Sequence, residues 1–460
     1  MIVVKSNKEV SPVDIVSSYG VQIMNVKRKL DPTLKIYREA VSFLVEGINL
    51  KWNQIQMETK RNPDVQNFKF NYTEKLFHRT KQNKTPVFDF DKRFPKFPSY
   101  FRRAAISTAI GIVSSYRSNY ANWEANGKKG NPPKLAKHFN EYPSFYNKEM
   151  YKKSENPYII FLKVYHQNDW VWMPFRLLKT DVKYLKKHWS NVKPCSPVLE
   201  KKYGRFYLRF AFEEKVELSS TPLDDQRVCA VDLGINSDAV CSVMTVDGTV
   251  LARRFINFSS EKDHLYTVLN RIKKHQRNHT SKTVRSFWRY ATHLNDELAK
   301  KIASAITDFA VENHCDVIVF EYLDFKGKRG KGSKKQRLHM WRKNGIQKMV
   351  EHRAHRNGIR ISRVCAWGTS KLAFDGSGEL TRDENNHALA TFKSGKRYNC
   401  DLSASYNTGA RYFIRALLKP IPVKKWSDIG VNIPGVPRRT LSTLKEIYPK
   451  FLETSQKRAA

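Results

Sequence analysis

CAVDLGIN (residues 229–236) is a short apolar run that stops at an acid, Asp232, just ahead of a glycine. The pattern returns in DVIVFEYLDF (316–325), where the run stops at Glu321. A third acid, Asp401, lies in YNCDLSASYNTGARYF (398–413), where a turn gives way to a helix. Short apolar runs bounded by turn signals read as buried strands. Asp232 and Glu321 therefore fall where a sheet edge meets solvent. Three carboxylates brought together make a strongly negative pocket that divalent metal renders tolerable. In a two-metal phosphodiesterase such a pocket holds the ions that activate water and stabilise the leaving oxygen. Taken singly, an acid after a strand is a turn or cap residue. The combination, in the order D, E, D, is what points to metal. Asp238, six residues beyond Asp232, is the competing choice.

Working outward, RVCAVDLGIN, AVCSVMTV and TVLARRFINF predict three successive strands, with Asp247-Gly248 as the last turn. Helical spacing follows from about 261 to 313, and then comes the strand ending at Glu321. FKGKRGKGSKKQR (325–337) carries seven Lys or Arg and reads as a basic lid loop. A helix over about 338–357 is closed by Gly358, and IRISRV is the next strand. Residues 365–400 read as irregular, 402–418 as a helix, and 439–454 as a short helix in the tail. The order βββ-α-β-α-β-α describes a ribonuclease H-type sheet.

Upstream the character differs. IVVK (2–5) and VQIMNVKRKL (21–30) are strand-like. Leu34, Tyr37, Val41, Leu44, Val45 and Ile48 recur at helical spacing, which predicts an amphipathic helix to about Met57. A second helix is expected over about 103–125, with Tyr116, Tyr120 and Trp123 in its core and Arg102, Arg103 and Arg117 facing solvent or phosphate. NPYIIFLKVY, DWVWMPFRLL, CSPVLEKKYG and RFYLRFAFEEKVEL (156–218) are β-rich, and SSTPLDDQR (219–227) reads as a linker.

The 460 residues hold 83 Lys and Arg against 43 Asp and Glu, a formal charge of +40. That excess calls for a polyanion, and nucleic acid is the one that fits. Hydrophobic residues at 40% and aromatics at 12% mark a folded chain. No run of about 18 apolar residues is present, which argues against a membrane span. No secretory segment follows Met1. The six scattered cysteines contain no C-x-x-C pair, and a reducing cytoplasm is expected.

AVDLGIN, VIVFEYLDF and NCDLSASYNTGARYF resemble the three split RuvC motifs of TnpB transposon nucleases and the compact type V CRISPR effectors. The Thr-Ser step in RVCAWGTSK (363–371) resembles the approach to that family's zinc ribbon. The resemblance covers about 227–418. It implies an RNA-guided DNA endonuclease: guide pairing reads the target next to a short flanking motif, and one RuvC site cuts. Its partners would be a guide RNA and target double-stranded DNA, in a prokaryotic cytoplasm and on the nucleoid when target is bound. Asp232, Glu321 and Asp401 become ligands of two Mg²⁺ ions, for which Mn²⁺ can substitute. Lys326, Lys328, Arg329, Lys334, Lys335 and Arg337, with Arg102, Arg103 and Arg117, become candidate nucleic-acid contacts. Asn407 would support the helix.

The expected architecture is a ribonuclease H-like (RuvC) domain after a β-barrel wedge domain interrupted by a helical recognition insert. The wedge would span 1–30 and 151–225, the insert 31–150, RuvC 226–364 and 401–420, a ribbon-like insert 365–400, and a tail 421–460. One departure stands out: the ribbon's two cysteine pairs fall on Ala373 and Gly376 and on Thr391 and Ser394, so no zinc is expected. Packing, with Trp367, Phe374 and Phe392, would hold this loop instead. Two other readings stay open, a guide-dependent repressor that does not cut and an RNA-independent RuvC-like nuclease.

Overall fold

Two large sheets organise this chain, one over residues 13–216 and one over residues 228–365. The computed structural model describes residues 12–26, 29–81, 83–234, 237–278, 281–322, 343–386, 388–422 and 439–456. The strand expected at IVVK and the basic loop 325–337 lie outside the described residues. The chain divides into two units, residues 16–214 and residues 215–460 with 1–15.

The first unit opens with β1 (Val13–Met24). Five helices follow: α1 (Asp31–Leu50), α2 (Trp52–Arg61), α3 (Phe68–Phe77), α4 (Phe90–Arg93) and α5 (Ser99–Ala125). The β-rich stretch gives β2 (Tyr151–Lys153), β3 (Ile159–His166), β4 (Asp169–Leu177), then α6 (Lys179–Trp189), β5 (Val198–Lys202) and β6 (Arg205–Val216). The six residues that set the apolar stripe of α1 are all buried. They pack with Phe101, Ile106 and the Phe90–Phe94–Phe97 cluster, as the helical spacing requires. At the β5–β6 turn both Tyr203 and Gly204 have positive φ, the conformation a two-residue hairpin turn demands.

Three expectations need correction here. The strand order is β2-β3-β4-β1-β6-β5, an open sheet and not the expected barrel. The outermost strands are short, and isolated bridges at Ser144–Val198 and Asn147–Tyr151 stand between them in place of a ladder. Tyr116, Tyr120 and Trp123 form a half-buried row of rings on α5, not its core. Helix α6 was not anticipated; only Val182 of its eleven residues is buried, too weak a stripe to read.

In the second unit β7 (Val228–Asp232), β8 (Ala239–Met244) and β9 (Val250–Ile256) lead into α7 (Ser259–Arg277) and α8 (Ser281–Glu312). After them come β10 (Val317–Tyr322), α9 (Lys343–Arg356), β11 (Arg360–Cys365), the short strands β12 (Thr381–Arg382), β13 (Leu389–Thr391) and β14 (Arg397–Asn399), α10 (Cys400–Leu418) and α11 (Leu441–Gln456). The main sheet has the order β11-β10-β7-β8-β9. Strands β7, β8 and β9 are antiparallel, and β10 lies parallel between β7 and β11. One face buries Cys229, Val231, Ile318 and Phe320 with Ile302 and Ile306 of α8 and Val350 of α9. The other buries Val228, Val240, Val317 and Val319 with Leu402, Tyr406 and Phe413 of α10.

Helix α10 lies very close to the sheet. A Cβ at Gly409 would stand 3.2 Å from Ala230 Cβ and 3.1 Å from Met244 Sδ, so a hydrogen at this position sets the approach. Residues 219–227 are not a free linker. Ser219 Oγ (2.7 Å), Thr221 Oγ1 (2.5 Å) and Arg227 N (2.9 Å) all donate to the Asp316 carboxylate. Residues 365–400, read as irregular, contain the three-stranded sheet β12-β13-β14. Among the described residues no helix is long and apolar enough to cross a membrane.

Candidate functional site

Asp232 ends β7, and Glu321 lies one residue before the end of β10. The two strands run parallel in register from Val228–Val317 to Val231–Phe320. The next step along both strands is Asp232 and Glu321, with neighbouring strands about 4.8 Å apart. Alternation puts residues 228, 230 and 232 on one face together with 317, 319 and 321, and this face carries α10. Asp401 sits in the first turn of α10, whose N-cap Asn399 accepts a hydrogen bond from Leu402 N at 2.9 Å. Alternation thus puts Asp232 and Glu321 on one face, and the helix that packs on that face carries Asp401 in its first turn.

Their electrostatics agree. Burial pushes the Asp232 carboxyl well above the usual range, the charges of Glu321 and Asp401 push it further, and Arg382 opposes them. Glu321 is raised by burial and relieved by a hydrogen bond from Thr369 and by the charge of Arg411. Asp401 is raised by burial and relieved by Arg382 and by a hydrogen bond with Ser237. Glu321 is 9% exposed, and its Oε1 has no hydrogen-bond partner. A buried carboxylate oxygen with no donor is costly, and a cation is what it lacks.

A hard divalent cation takes oxygen ligands, and this donor set is all carboxylate. The chemistry therefore fits Mg²⁺. The side chains as they stand are not closed around a point: among the described residues no group of three or more His, Cys, Asp or Glu could hold a metal ion.

Asp238, the competing choice, is committed elsewhere. It accepts from Phe258 N at 2.6 Å and pairs with Lys262 at 3.4 Å, which anchors the start of α7. Asn407 has a structural role: its amide donates to Thr369 O (3.1 Å) and Leu372 O (2.9 Å), and its oxygen accepts from Leu441 N (3.3 Å). The residues missed in sequence are Arg382, Thr369, Ser237 and Arg411. Arg411 Nη1 donates to Cys365 O and Trp367 O, both at 2.7 Å, and so pins the segment after β11. Only Thr369 carried a signal, the Thr-Ser step.

In the ribbon-like insert the turns at 373–376 and 391–395 come together. Ser394 Oγ donates to Asp375 Oδ2 at 2.6 Å, and Phe374 packs edge-on to Phe392, Tyr398 and Tyr406. Trp367 is corrected: it is 63% exposed and does not join that cluster.

The candidate nucleic-acid contacts divide. Arg102 is buried and paired with Glu74 (3.6 Å) and Asp91 (3.5 Å), so it is not a surface contact. Arg117 is taken up by Asn49 Oδ1 (3.0 Å) and Asn49 O (2.9 Å) at the end of α1. Arg103 is half exposed, paired with Glu74 and lying over the Phe70 ring. Lys326, Lys328, Arg329, Lys334, Lys335 and Arg337 lie outside the described residues.

A family model described as the Aq_aa04 family matches residues 17–166. A TnpB-like protein, aq_aa05 of Aquifex aeolicus (strain VF5), is 28% identical over 171 residues, 33% of this chain and 56% of that protein. The chain thus spans about half the length of the curated relative it matches. The mini-RNA-guided endonuclease CRISPR-Cas_phi3 aligns over 88% of this chain and 93% of its own, with a TM-score of 0.51 at 10% identity. A Cas12f1–sgRNA–target DNA complex aligns over 86% of this chain and 98% of its own, with a TM-score of 0.31 at 16% identity. The chain has a mixed α/β multidomain fold resembling that of the Cas_phi3 effector. The resemblance to TnpB and the compact type V effectors is therefore met on two sides, in sequence by a TnpB-like protein and in fold by a type V effector.

Proposed function

We propose that this chain is an RNA-guided DNA endonuclease with a RuvC-type site at Asp232, Glu321 and Asp401. The observation that carries this reading is the parallel register that sets Asp232 beside Glu321 on the face that carries α10, with Asp401 in that helix's first turn. The order β11-β10-β7-β8-β9, three antiparallel strands and then two parallel ones, supports a ribonuclease H-type sheet. The +40 charge suits a protein that holds a guide and a target at once.

Asp232, Glu321 and Asp401 would hold Mg²⁺, which supplies an activated water and charge stabilisation of the leaving oxygen. Thr369 and Ser237 orient Glu321 and Asp401 by hydrogen bonds. Arg382 places positive charge by Asp232 and Asp401, where it moderates their repulsion and can meet a phosphate. Arg411 and Asn407 fix the backbone that presents Thr369.

The test begins with the RNA that copurifies with the protein, sequenced and then used to choose a matching DNA target. Cleavage should require Mg²⁺ and stop on chelation. Asp232→Ala should lower cleavage by about 10²–10³-fold or more, the scale of one lost electrostatic contributor, with target binding retained. Full cleavage by Asp232→Ala would move the metal site elsewhere, and full activity of RNA-free protein would remove the guide.

A further inference from the structure

One row of side chains crosses the second unit's sheet at the carboxylate edge. Asp232 pairs with Val240 of β8, and Val240 pairs with Phe255 of β9. Glu321 lies next to Asp232 on the other side and pairs with Val364 of β11. Directly paired residues share a face, so Phe255 stands on the same face as Asp232, two strands and about 10 Å away.

The two faces of β9 differ. Toward α8, Arg254 pairs with Glu312 at 2.7 Å and lies over the Phe309 ring. Toward the carboxylate face, α10 packs over β7 and β8, and β9 packs Val250 against that core but leaves Arg253 and Phe255 in solvent. Phe255 is 50% exposed there. Arg253, two residues back on the same face, is also exposed, and its Nη1 reaches Tyr398 Oη at 3.5 Å. Beyond Glu321 in the other direction, Trp367 follows the end of β11. Its carbonyl is held by buried Arg411 while its ring stands in solvent. It is the one Trp among the described residues that is more than a third exposed.

An exposed ring on β9, beside Arg253 and in the row of Asp232, and a second exposed ring just past the end of β11, the strand that pairs with β10, match what unpaired bases need. Bases of single strands stack on aromatic side chains while basic groups follow the backbone. Bases inside a duplex are already stacked and offer no free face. Two isolated rings are also far smaller than the contact area a protein partner requires.

We propose that Phe255 and Trp367 are stacking platforms for the bases of a single-stranded nucleic acid drawn across the Glu321–Asp232 edge, with Arg253 on its backbone. The proposal deepens the nuclease reading and rests on it for the direction of the strand. At a rise of about 3.4 Å per stacked nucleotide, Phe255 meets a base within about three nucleotides of the cut.

The experiment uses the full chain as purified and a fluorescent single-stranded oligonucleotide. Phe255→Leu and Trp367→Leu keep apolar volume and remove the ring. Each should weaken binding, measured on the Asp232→Ala protein, by about five- to a hundredfold. In the cleaving protein KM should rise more than kcat falls, and Phe255→Trp should restore both. An oligonucleotide with abasic sites near the cut should bind wild-type protein as weakly as a normal strand binds Phe255→Leu, with no further loss in that variant. Equal affinity of wild type and both Leu variants for normal strands would overturn the proposal, as would an abasic penalty that persists undiminished in them. Absence of Mg²⁺-dependent cleavage by wild type sinks the nuclease reading alone, because the binding measurements still decide the stacking.

Discussion

Three acids of the second unit are treated differently from the paired acids of the first. In residues 16–214 several buried or half-buried carboxylates have a cation at hand. Glu74 meets Arg102 and Arg103, and Asp91 meets Arg102 and His78. Burial pushes Glu200 up, yet Arg209 (2.7 Å) and Lys202 (3.0 Å) outweigh it and hold its carboxyl below the usual range. In residues 215–460 Asp232, Glu321 and Asp401 are all held above it, and none is in an ion pair among the described residues. A chain with 83 basic residues has no shortage of cations. Arg382 and Arg411 only moderate these three acids and none is closed into an ion pair among the described residues, which costs stability and leaves room for a cation from outside.

That contrast can be broken most forcefully at Arg102. Arg102→Leu leaves Glu74 and Asp91 without their shared partner and should cost about 3–5 kcal/mol, read as a lower urea midpoint. A cost below 1 kcal/mol would mean that its neighbours re-solvate and that the first unit does not depend on its pairs. Next is Asp238→Ala, which frees the Phe258 N–H and removes the ion pair to Lys262, whose bond to Asn257 remains. It should destabilise by about 1–3 kcal/mol and leave Mg²⁺-dependent cleavage chemistry intact.

The third test has the opposite sign. Because folding raises the Asp232 pKa, the unfolded chain releases this proton first as pH rises. Stability is then lost between the unfolded value and the raised folded one. Asp232→Asn removes that loss, so its Tm should exceed wild type at pH 7 by about 2–4 °C for each kcal/mol relieved. The difference should vanish as pH falls below the ordinary Asp range. A lower Tm at pH 7 would show that Asp232 is satisfied in the fold and not poised for a cation. The smallest effect is expected at Ser394→Ala, which removes the bond to Asp375 between two insert turns and should cost about 1 kcal/mol. Hydrogen exchange localised to 389–399 would register it.

What could be read beforehand follows from which signals are local. Strands β7, β8 and β10 were legible because buried strands are apolar throughout and stop abruptly at a polar group. Placement of Asp232 and Glu321 on one face needed only period-two alternation and a parallel pairing. Arg382 was illegible because its effect on Asp232 and Asp401 arises from how the insert folds back, and nothing local marks it. Arg102 was misread for a related reason. Its partner Glu74 lies 28 positions earlier, and a basic residue among aromatics looks the same whether it faces phosphate or a buried acid. The sheet at 381–399 escaped notice because its strands have two or three residues, too few to display a period.

Gly409 gives the second unit a mechanical property. It is the fulcrum on which α10 rests against Ala230, and Asp401 lies eight residues away, about 12 Å along the axis at 1.5 Å per residue. A bulkier side chain at the fulcrum would tilt the helix and swing its far end, opening or closing the gap between Asp401 and Asp232 without altering either. Position 409 is thus a set-screw for the spacing of the acids, and a graded series from alanine to valine to leucine would turn it by known amounts.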